Sequence, residues 1–355
     1  MNEEYKKYLA YLGGLRFWII AACVIIVLAG LKQSSFLINV FLMAMFITSV
    51  SLAPLHWLRK KGVPETLAII IVILGVIVVA SSTLVVIGSS AGNFADKLPF
   101  YEERFTSLWR SIHDWLASHN FIDNDFDPMQ EINPANIFPM AGAAFASFGN
   151  VFTASLLILI VFIFMIFESR TFGRKMNFIS PESMTYGENI ISRIRKYFGI
   201  KFLTSLATGI CITIALLILG IDFPVLWGFI AFILNFIPSV GSIIAAIPAV
   251  LLAFIQLSPL GALITAIVYF VINTVVGNVI EPQLMGKNLG ISPLIVFMAM
   301  LSWGFILGPV GMLIATPLII ATKIVFDSRP VTRNIGLFMA DEKEIKALEK
   351  QNDLT

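Results

Sequence analysis

The sequence contains few of the residues on which soluble enzymes and metalloproteins depend. Of its 355 residues only two are cysteine and three are histidine, and charged residues make up 13%. Cys23 and Cys211 both lie inside apolar stretches, so neither a disulfide framework nor a zinc site is expected. Because no phosphate-binding loop, nucleophile elbow or HExxH sequence occurs, we expect a protein that is not an enzyme and that uses no metal or cofactor.

The charge balance gives no reason to expect a nucleic-acid partner. The formal net charge is only +2, and no basic cluster is interleaved with aromatic residues. Hydrophobic residues, in contrast, make up 58% of the chain, well above the share in soluble domains. The composition therefore predicts an all-α, polytopic membrane protein whose first partner is the lipid bilayer.

Apolar stretches of roughly membrane-spanning length recur along the chain. We predict six full transmembrane helices, at Leu15–Leu31, Phe36–Leu58, Thr66–Ile87, Phe152–Phe167, Phe198–Leu219 and Leu260–Ile280. The first stretch follows basic residues, as a signal peptide would, but the chain continues directly into further membrane segments. We therefore expect an uncleaved first span.

Two further apolar runs, 223–257 and 291–326, are each interrupted near the middle by proline and glycine. Each half has about 16 residues and as a helix would rise ~24 Å, less than the ~30 Å hydrocarbon layer. We therefore predict two re-entrant hairpins. Their tips place unpaired backbone groups at membrane depth, which requires a protein or polar-cavity environment. We accordingly predict that the tip residues bind substrate: Asn235, Pro238, Ser239, Gly241, Ser242, Gly308, Pro309 and Gly311.

The distribution of Lys and Arg predicts the orientation of the chain. Segments 59–61 and 168–201 are rich in basic residues and are expected in the cytoplasm, whereas 96–138 is rich in acidic residues and is expected outside. Both termini are then cytoplasmic if both broken runs are re-entrant. The result is an inverted repeat of span plus hairpin, 198–257 and 260–326, an arrangement found in secondary transporters.

These assignments divide the chain into five regions. They are N-terminal spans one to three (1–93), an external polar and amphipathic insertion (94–150), the fourth span with a cytoplasmic amphipathic helix (151–201), a transport unit holding both hairpins (202–326), and a charged cytoplasmic tail (327–355). The insertion includes an amphipathic helix from Phe100 to Leu116. This helix is expected either to lie on the membrane surface or to cover the protein's own helices.

The sixth span carries polar residues within an apolar stretch, where such residues are costly. Asn273, Gly277 and Glu281 recur at four-residue spacing, with Asn278 adjacent, so they are expected to share one helix face. Glu281 is the only carboxylate within residues 223–326 and is therefore a candidate for proton or cation coupling. The alternative, that it caps a helix end in the headgroup region, remains open.

The fifth span also contains small and polar residues at helical spacing. Thr204, Ser205, Thr208 and Gly209 are of the kind that allow close approach of membrane helices. We expect them to serve helix packing.

Three stretches resemble one family of bacterial membrane proteins, the autoinducer-2 exporter family. They are NFIPSVGSIIAAIP at 235–248, GNVIEPQLMG at 277–286 and WGFILGPVGMLIATP at 303–317. The resemblance is specific over 227–317. Outside that region it depends on the pattern of spans and on the polar insertion.

The resemblance implies a secondary transporter of the bacterial inner membrane that forms a homo-oligomer such as a pentamer and moves its hairpins during transport. It implies export of the furanone autoinducer-2 or, alternatively, sodium(lithium)/proton antiport. The uncharged polar residues near the tips suit a small polyol-like solute, whereas one intramembrane carboxylate suits a cation exchanger poorly. A third interpretation, from a different class, is a membrane scaffold that transports nothing.

Overall fold

A computed structural model describes residues 3–119, 121, 154–169, 171, 175, 181–238, 240–285, 290–328 and 331–352. Within these residues the chain forms helices and turns and no strand, as predicted from its composition. Ser239 and nearly all of the polar insertion after residue 121 lie outside the described residues.

The described residues fold mainly into helices. In chain order they are α1 (Glu3–Gln33), α2 (Ser35–Lys60), α3 (Glu65–Ser118), α4 (Ala154–Ser169), α5 (Pro181–Leu219), α6 (Pro224–Leu234), α7 (Val240–Gln256), α8 (Pro259–Asn273), a π-helical segment (Thr274–Ile280), α9 (Glu281–Met285), α10 (Pro293–Leu307), α11 (Pro309–Asp327), α12 (Arg333–Phe338) and α13 (Glu342–Asn352).

Five helical stretches among the described residues are long and apolar enough to cross a membrane. They are Ser35–Lys60, Glu65–Trp115, Ser192–Leu219, Pro259–Met285 and Pro309–Asp327. The first four contain the predicted second, third, fifth and sixth spans. The predicted first span overlaps the apolar part of α1, Trp18–Gln33, and the predicted fourth span overlaps α4, Ala154–Ser169; both apolar stretches are shorter than these five. The chain is thus a multi-pass membrane protein, and the count of six full spans stays a prediction.

Prolines determine where several helices begin. Pro224, Pro259, Pro293 and Pro309 each occupy the first turn of a helix, where the missing N–H is not needed for a helical hydrogen bond. Ser258 strengthens the start of α8, since its hydroxyl accepts a hydrogen bond from the Gly261 N–H at 3.1 Å.

The third helix differs from the prediction. A separate amphipathic helix was expected from Phe100, but α3 continues through Pro99 and ends at Ser118. Its second half is held against the protein: Tyr101 is completely buried, and its hydroxyl donates to Asp222 Oδ2 at 2.7 Å. Lys97 also donates to that oxygen at 2.7 Å. These contacts stabilise the continuous helix although Pro99 removes one backbone donor.

The described chain divides into two compact units. The continuous unit is formed by Ile47–Leu289, and the discontinuous unit is formed by Met1–Phe46 together with Gly290–Thr355. The first hairpin region belongs to the continuous unit and the second to the discontinuous unit. The predicted regional boundaries stay predictions.

In the continuous unit, α5 and α6 approach each other through glycine. A Cβ atom built on Gly209 would lie 2.7 Å from the Gly228 carbonyl oxygen, and one on Gly228 would lie 2.6 Å from the Gly209 carbonyl oxygen. Since real side chains do not fit at such distances, the backbones of the two helices are in direct contact. Gly209 therefore serves helix packing, as predicted.

The first broken run forms two helices, α6 and α7, and the described residues between them, 235–238, form a turn. Asn235 ends α6 with its N–H bonded to the Ala231 carbonyl, and α7 begins at Val240. Gly241 is buried beneath the turn, where a Cβ atom would overlap the Leu234 carbonyl oxygen. At the other end of the pair, the Asp222 N–H donates to Gln256 Oε1 at 3.0 Å and the Gln256 amide donates to the Gly220 carbonyl at 3.0 Å.

The second broken run reverses within one residue. Gly308 links α10 to α11 with φ 69° and ψ −152°, a conformation that favours glycine. The reversal is tight, because a Cβ atom on Gly311 would lie 2.7 Å from the Trp303 carbonyl carbon and 2.8 Å from Leu307 Cβ. The amide of Asn39, on α2, donates to the Leu307 carbonyl at 2.9 Å and so satisfies the end of α10.

A C-terminal clamp, formed by Ser292, Lys323, Asp327, Met339 and Glu344, holds the base of the second hairpin. The Ser292 N–H donates to the Met339 carbonyl at 2.9 Å, so the segment after α12 is bound to the start of α10. Lys323, 5% exposed, donates to Asp327 Oδ2 at 2.7 Å and to Glu344 Oε1 at 3.1 Å. The clamp thereby joins both ends of the hairpin to the tail.

Candidate functional site

The continuous unit contains a cavity of about 770 Å³ between the first hairpin and the sixth span. Lys201 of α5, the turn after α6, the length of α7, and the stretch from α8 to Glu281 all line it. A space of this size that is formed by several elements is typical of small-molecule sites.

The lining is mixed, and its polar residues lie toward one end of the cavity. Toward the turn that joins α7 to α8 it includes the apolar residues Val250, Leu251 and Ala266. Toward the far ends of the same helices the apolar residues Ile243, Ala246, Ile247 and Phe270 lie beside polar ones: Lys201, Asn235, Ser242, Asn273, Thr274, Asn278 and Glu281. The cavity can therefore accept a solute with one apolar side and several hydrogen-bonding groups.

A buried ion pair lies at the polar end. The Lys201 ammonium donates to both carboxylate oxygens of Glu281, at 3.0 Å to Oε1 and 2.8 Å to Oε2. The two side chains are only 6% and 15% exposed. The Thr204 hydroxyl lies 3.4 Å from the Oε2 atom. Because opposite charges this close offset each other, the pair adds no net charge to the cavity.

The tip of the first hairpin is fixed by one side-chain hydrogen bond. The Asn235 amide donates to the Ser205 hydroxyl of α5 at 3.0 Å, and both residues are buried. This bond orients the Asn235 side chain at the cavity, in keeping with the rule that buried polar groups are paired.

Two buried polar atoms on α8 lack a hydrogen-bond partner among the described residues. They are the Tyr269 hydroxyl and the Asn273 Oδ1 atom, and both residues line the cavity. The Asn273 amide nitrogen is used, since it donates to the Tyr269 carbonyl at 2.8 Å. Unpaired buried atoms of this kind cost about 1–3 kcal/mol each, and a bound solute with complementary groups would remove that cost.

A π-helical segment, Thr274–Ile280, shapes the wall opposite the hairpin tip. Its wider turn brings Asn273, Gly277, Asn278 and Glu281 to the same cavity, although the predicted four-residue spacing assumed a regular α-helix. Gly277 leaves open space, because nothing lies within 4 Å of a Cβ atom built on it. π-helical turns of this kind are often found at functional sites.

The structure brings six of the predicted site residues together around this cavity: Asn235, Pro238, Ser242, Asn273, Asn278 and Glu281. Gly241 supports the turn from beneath, and Ser239 lies outside the described residues. Gly308, Pro309 and Gly311 form the turn of the second hairpin in the discontinuous unit. Their predicted role in substrate binding stays a prediction.

Sequence reasoning missed three residues at the cavity. Lys201 was counted only as a cytoplasmic charge, although the sole carboxylate of residues 223–326 needs a buried counter-ion. Ser205 was assigned to helix packing, yet its hydroxyl binds Asn235. Nothing in the sequence indicated that Tyr269 lines a cavity, since a single tyrosine is common in apolar helices.

Among the described residues, no group of three or more His, Cys, Asp or Glu side chains lies close enough to hold a metal ion. The polar end of the cavity instead offers amides, hydroxyls and one ion pair. Such groups recognise hydrogen-bonding solutes by direct contact.

Comparison with known proteins gives a match over nearly the whole chain. The family model described as AI-2E family transporter matches residues 20–330, well beyond the stretch 227–317 on which the resemblance was based. The AI-2 transport protein TqsA of Escherichia coli (strain K12) is 30% identical over 336 residues, which cover 93% of this chain and 97% of TqsA. A Haemophilus influenzae protein assigned provisionally to transport is 32% identical over 335 residues, 92% of this chain and 96% of that protein.

Proposed function

The chain belongs to the AI-2E transporter family, and from that premise we propose that it is a secondary transporter that moves a small, uncharged, polar solute across the bacterial inner membrane by alternating access. The observation that supports this proposal is the cavity of about 770 Å³ whose polar residues lie toward one end. The first hairpin supplies one wall of that cavity and the sixth span the other.

The groups around the cavity support a neutral solute with several hydroxyl or carbonyl groups. Asn235, Asn273 and Asn278 offer both donors and acceptors, and the only charges in the lining belong to the mutually paired Lys201 and Glu281. A solute without net charge does not need a counter-ion when it leaves water. The furanone autoinducer-2 is the first candidate, because the relative TqsA is named an AI-2 transport protein.

Sodium(lithium)/proton antiport is the second candidate and has weaker support. Glu281 is the one carboxylate at the cavity, and its two oxygens already accept hydrogen bonds from Lys201. A cation would have to replace that ammonium before it could bind there.

A scaffold without transport activity is the third candidate. It predicts that no solute stabilises the protein, whereas a transporter gains about RT ln(1 + [L]/Kd) from its ligand. A rise in melting temperature with autoinducer-2 concentration would therefore argue against the scaffold.

The proposal includes the architecture predicted from the sequence: re-entrant hairpins in an inverted repeat, cytoplasmic termini and a homo-oligomer such as a pentamer. The short helices of the first hairpin, with 11 and 17 residues, support its re-entrant arrangement. Topology reporters before Phe223, after Leu257 and after Phe326 test it. Finding the first two reporters on opposite sides of the membrane would contradict the re-entrant arrangement.

The function itself is tested with purified protein in proteoliposomes. Flux of autoinducer-2 is compared with flux of sodium and lithium under an imposed proton gradient. We expect flux of the furanone in the wild type and none in Asn235→Ala. Asn39→Ala is the matched control, because Asn39 of α2 binds the tip of the second hairpin, and this variant should transport as the wild type. Sodium-driven proton movement without furanone flux would instead support antiport, and no flux of either kind would contradict both transport proposals.

A further inference from the structure

We propose that the Lys201 ammonium occupies the position of a coupling cation, so that the cavity contains a monovalent-cation site that the protein fills with its own side chain. This inference deepens the proposed function and rests on it, because it explains how solute movement can proceed without sodium. It assigns to Lys201 a role in cation selectivity.

The geometry of the pair is that of a bound cation. Lys201 Nζ lies between the two oxygens of one carboxylate, 3.0 Å from Oε1 and 2.8 Å from Oε2 of Glu281. The Thr204 hydroxyl lies 3.4 Å from the Oε2 atom. Carboxylate oxygens are among the ligands that hard cations prefer in proteins. The ammonium therefore sits where such a cation would be coordinated.

The surroundings leave Glu281 dependent on this one counter-charge. Residues 223–280, which form the first hairpin and the sixth span, contain no charged side chain. Lys201 is the only cation in the cavity lining, where every residue is described. An unpaired carboxylate with 15% exposure would have to recruit a counter-ion from solution or become protonated.

The cavity gives a solution cation access to the carboxylate. Lys201, Glu281 and Asn278 all line the same open space, and the Asn273 Oδ1 atom, which lacks a partner among the described residues, belongs to the same lining. Removal of the Lys201 ammonium would therefore leave a polar, water-accessible position next to a negative charge. A sodium ion fits that chemistry, and the amide oxygens can supply further ligands.

The identity of residue 201 then determines whether the protein depends on sodium. The lysine side chain cannot leave the protein, so the wild type carries a permanent replacement for the ion. A neutral residue at the same position would leave beside Glu281 a site that a dissolved cation can fill.

The test measures sodium binding to the purified full-length protein, without any flux. Wild type, Lys201→Met, Glu281→Gln and Lys201→Met/Glu281→Gln are compared for binding of radioactive sodium and for the change in melting temperature in sodium chloride relative to choline chloride. Lys97→Met is the matched control, because it breaks another lysine–carboxylate pair, that with Asp222, whose lysine is 48% exposed.

We expect no sodium binding by the wild type, and saturable binding that approaches one ion per chain in Lys201→Met. That variant should also be more stable in sodium than in choline, since a ligand that binds the folded state stabilises it. The added Glu281→Gln change should remove both effects, and Lys97→Met should behave as the wild type.

Two results would overturn the inference: sodium binding by the wild type that is lost in Glu281→Gln, or a folded Lys201→Met protein that binds no sodium. If Lys201→Met does not fold in either salt, Lys201→Gln, which keeps a hydrogen-bond donor for Glu281, takes its place under the same criteria. Because binding is read without transport, absence of solute flux in the wild type would contradict the proposed function alone.

Discussion

The two hairpins look alike in sequence but are built differently. The first turns between α6 and α7 through a segment that includes residues 235–238, and it presents Asn235 to the cavity. The second turns at Gly308 alone. The Leu307 carbonyl at its tip accepts a hydrogen bond from the Asn39 amide, and its base is held by the C-terminal clamp. Proline and glycine mark the turn in both, so the difference lies in the side chains around the turn and in what they bind.

This comparison indicates a division of roles. The first tip lies at a cavity lined by polar side chains that can meet a solute, whereas the Leu307 carbonyl at the second tip accepts a hydrogen bond from Asn39. The second hairpin also contains α11, which at 19 residues is long enough to cross a membrane. Changes at the first hairpin should therefore affect flux, and changes at the second should affect stability.

The largest expected effect comes from filling the cavity. Gly277→Phe places a ring in the space beside the first hairpin, where a Cβ atom meets nothing within 4 Å, so the variant should fold normally and lose solute flux in proteoliposomes. Gly75→Phe, at another glycine with open space, is the control and should transport as the wild type. Normal flux in Gly277→Phe would show that the solute does not use this cavity.

The next effect tests the base of the second hairpin. Lys323→Met removes hydrogen bonds to Asp327 and Glu344, and each such bond to a charged group contributes about 1.5–3 kcal/mol when buried, less here because both carboxylates are partly exposed. Thermal unfolding in detergent should show a clear loss of stability with solute flux retained in the folded fraction. Lys346→Met, which breaks a largely exposed pair, should change little. Equal stability of the two variants would argue against the clamp.

A similar loss is expected at the second turn. Gly311→Ala forces a methyl group against the Trp303 carbonyl, and overpacking of this kind costs about 1–3 kcal/mol. Gly277→Ala, the same substitution beside the first hairpin, has room and should leave the melting temperature unchanged. If Gly311→Ala is as stable as the wild type, the reversal at Gly308 is looser than described.

The smallest expected change in stability separates the two tip amides. Asn39→Ala removes one neutral hydrogen bond, to the Leu307 carbonyl, and should cost about 0.5–1.5 kcal/mol of stability without reducing flux. Asn235→Ala should abolish flux with a similarly small loss of stability, because Asn235 lines the cavity. Denaturation and flux measured on the same preparations check the pair, and a reversed pattern would contradict the division of roles.

Much of the helical layout was predictable, because apolar length and helix-starting prolines are local signals. Asn235, Asn273 and Glu281, which line one cavity, could be selected from the sequence because polar groups are costly in apolar runs, and their role in substrate binding stays a prediction. The partners Lys201 and Ser205 could not be selected, since pairing depends on which helices touch. The continuation of α3 through Pro99 was also missed, because Asp222, which holds its second half, lies 121 residues from Tyr101.

The two segments of the discontinuous unit, Met1–Phe46 and Gly290–Thr355, are synthesised at different times. The partner of Asn39, the Leu307 carbonyl, is made 268 residues later. At about 5–20 residues per second of ribosomal synthesis, the Asn39 amide waits roughly 13–54 s for it. All of Ile47–Leu289 is synthesised within that interval, so the unit with the cavity can assemble first, and α13 joins the other unit later.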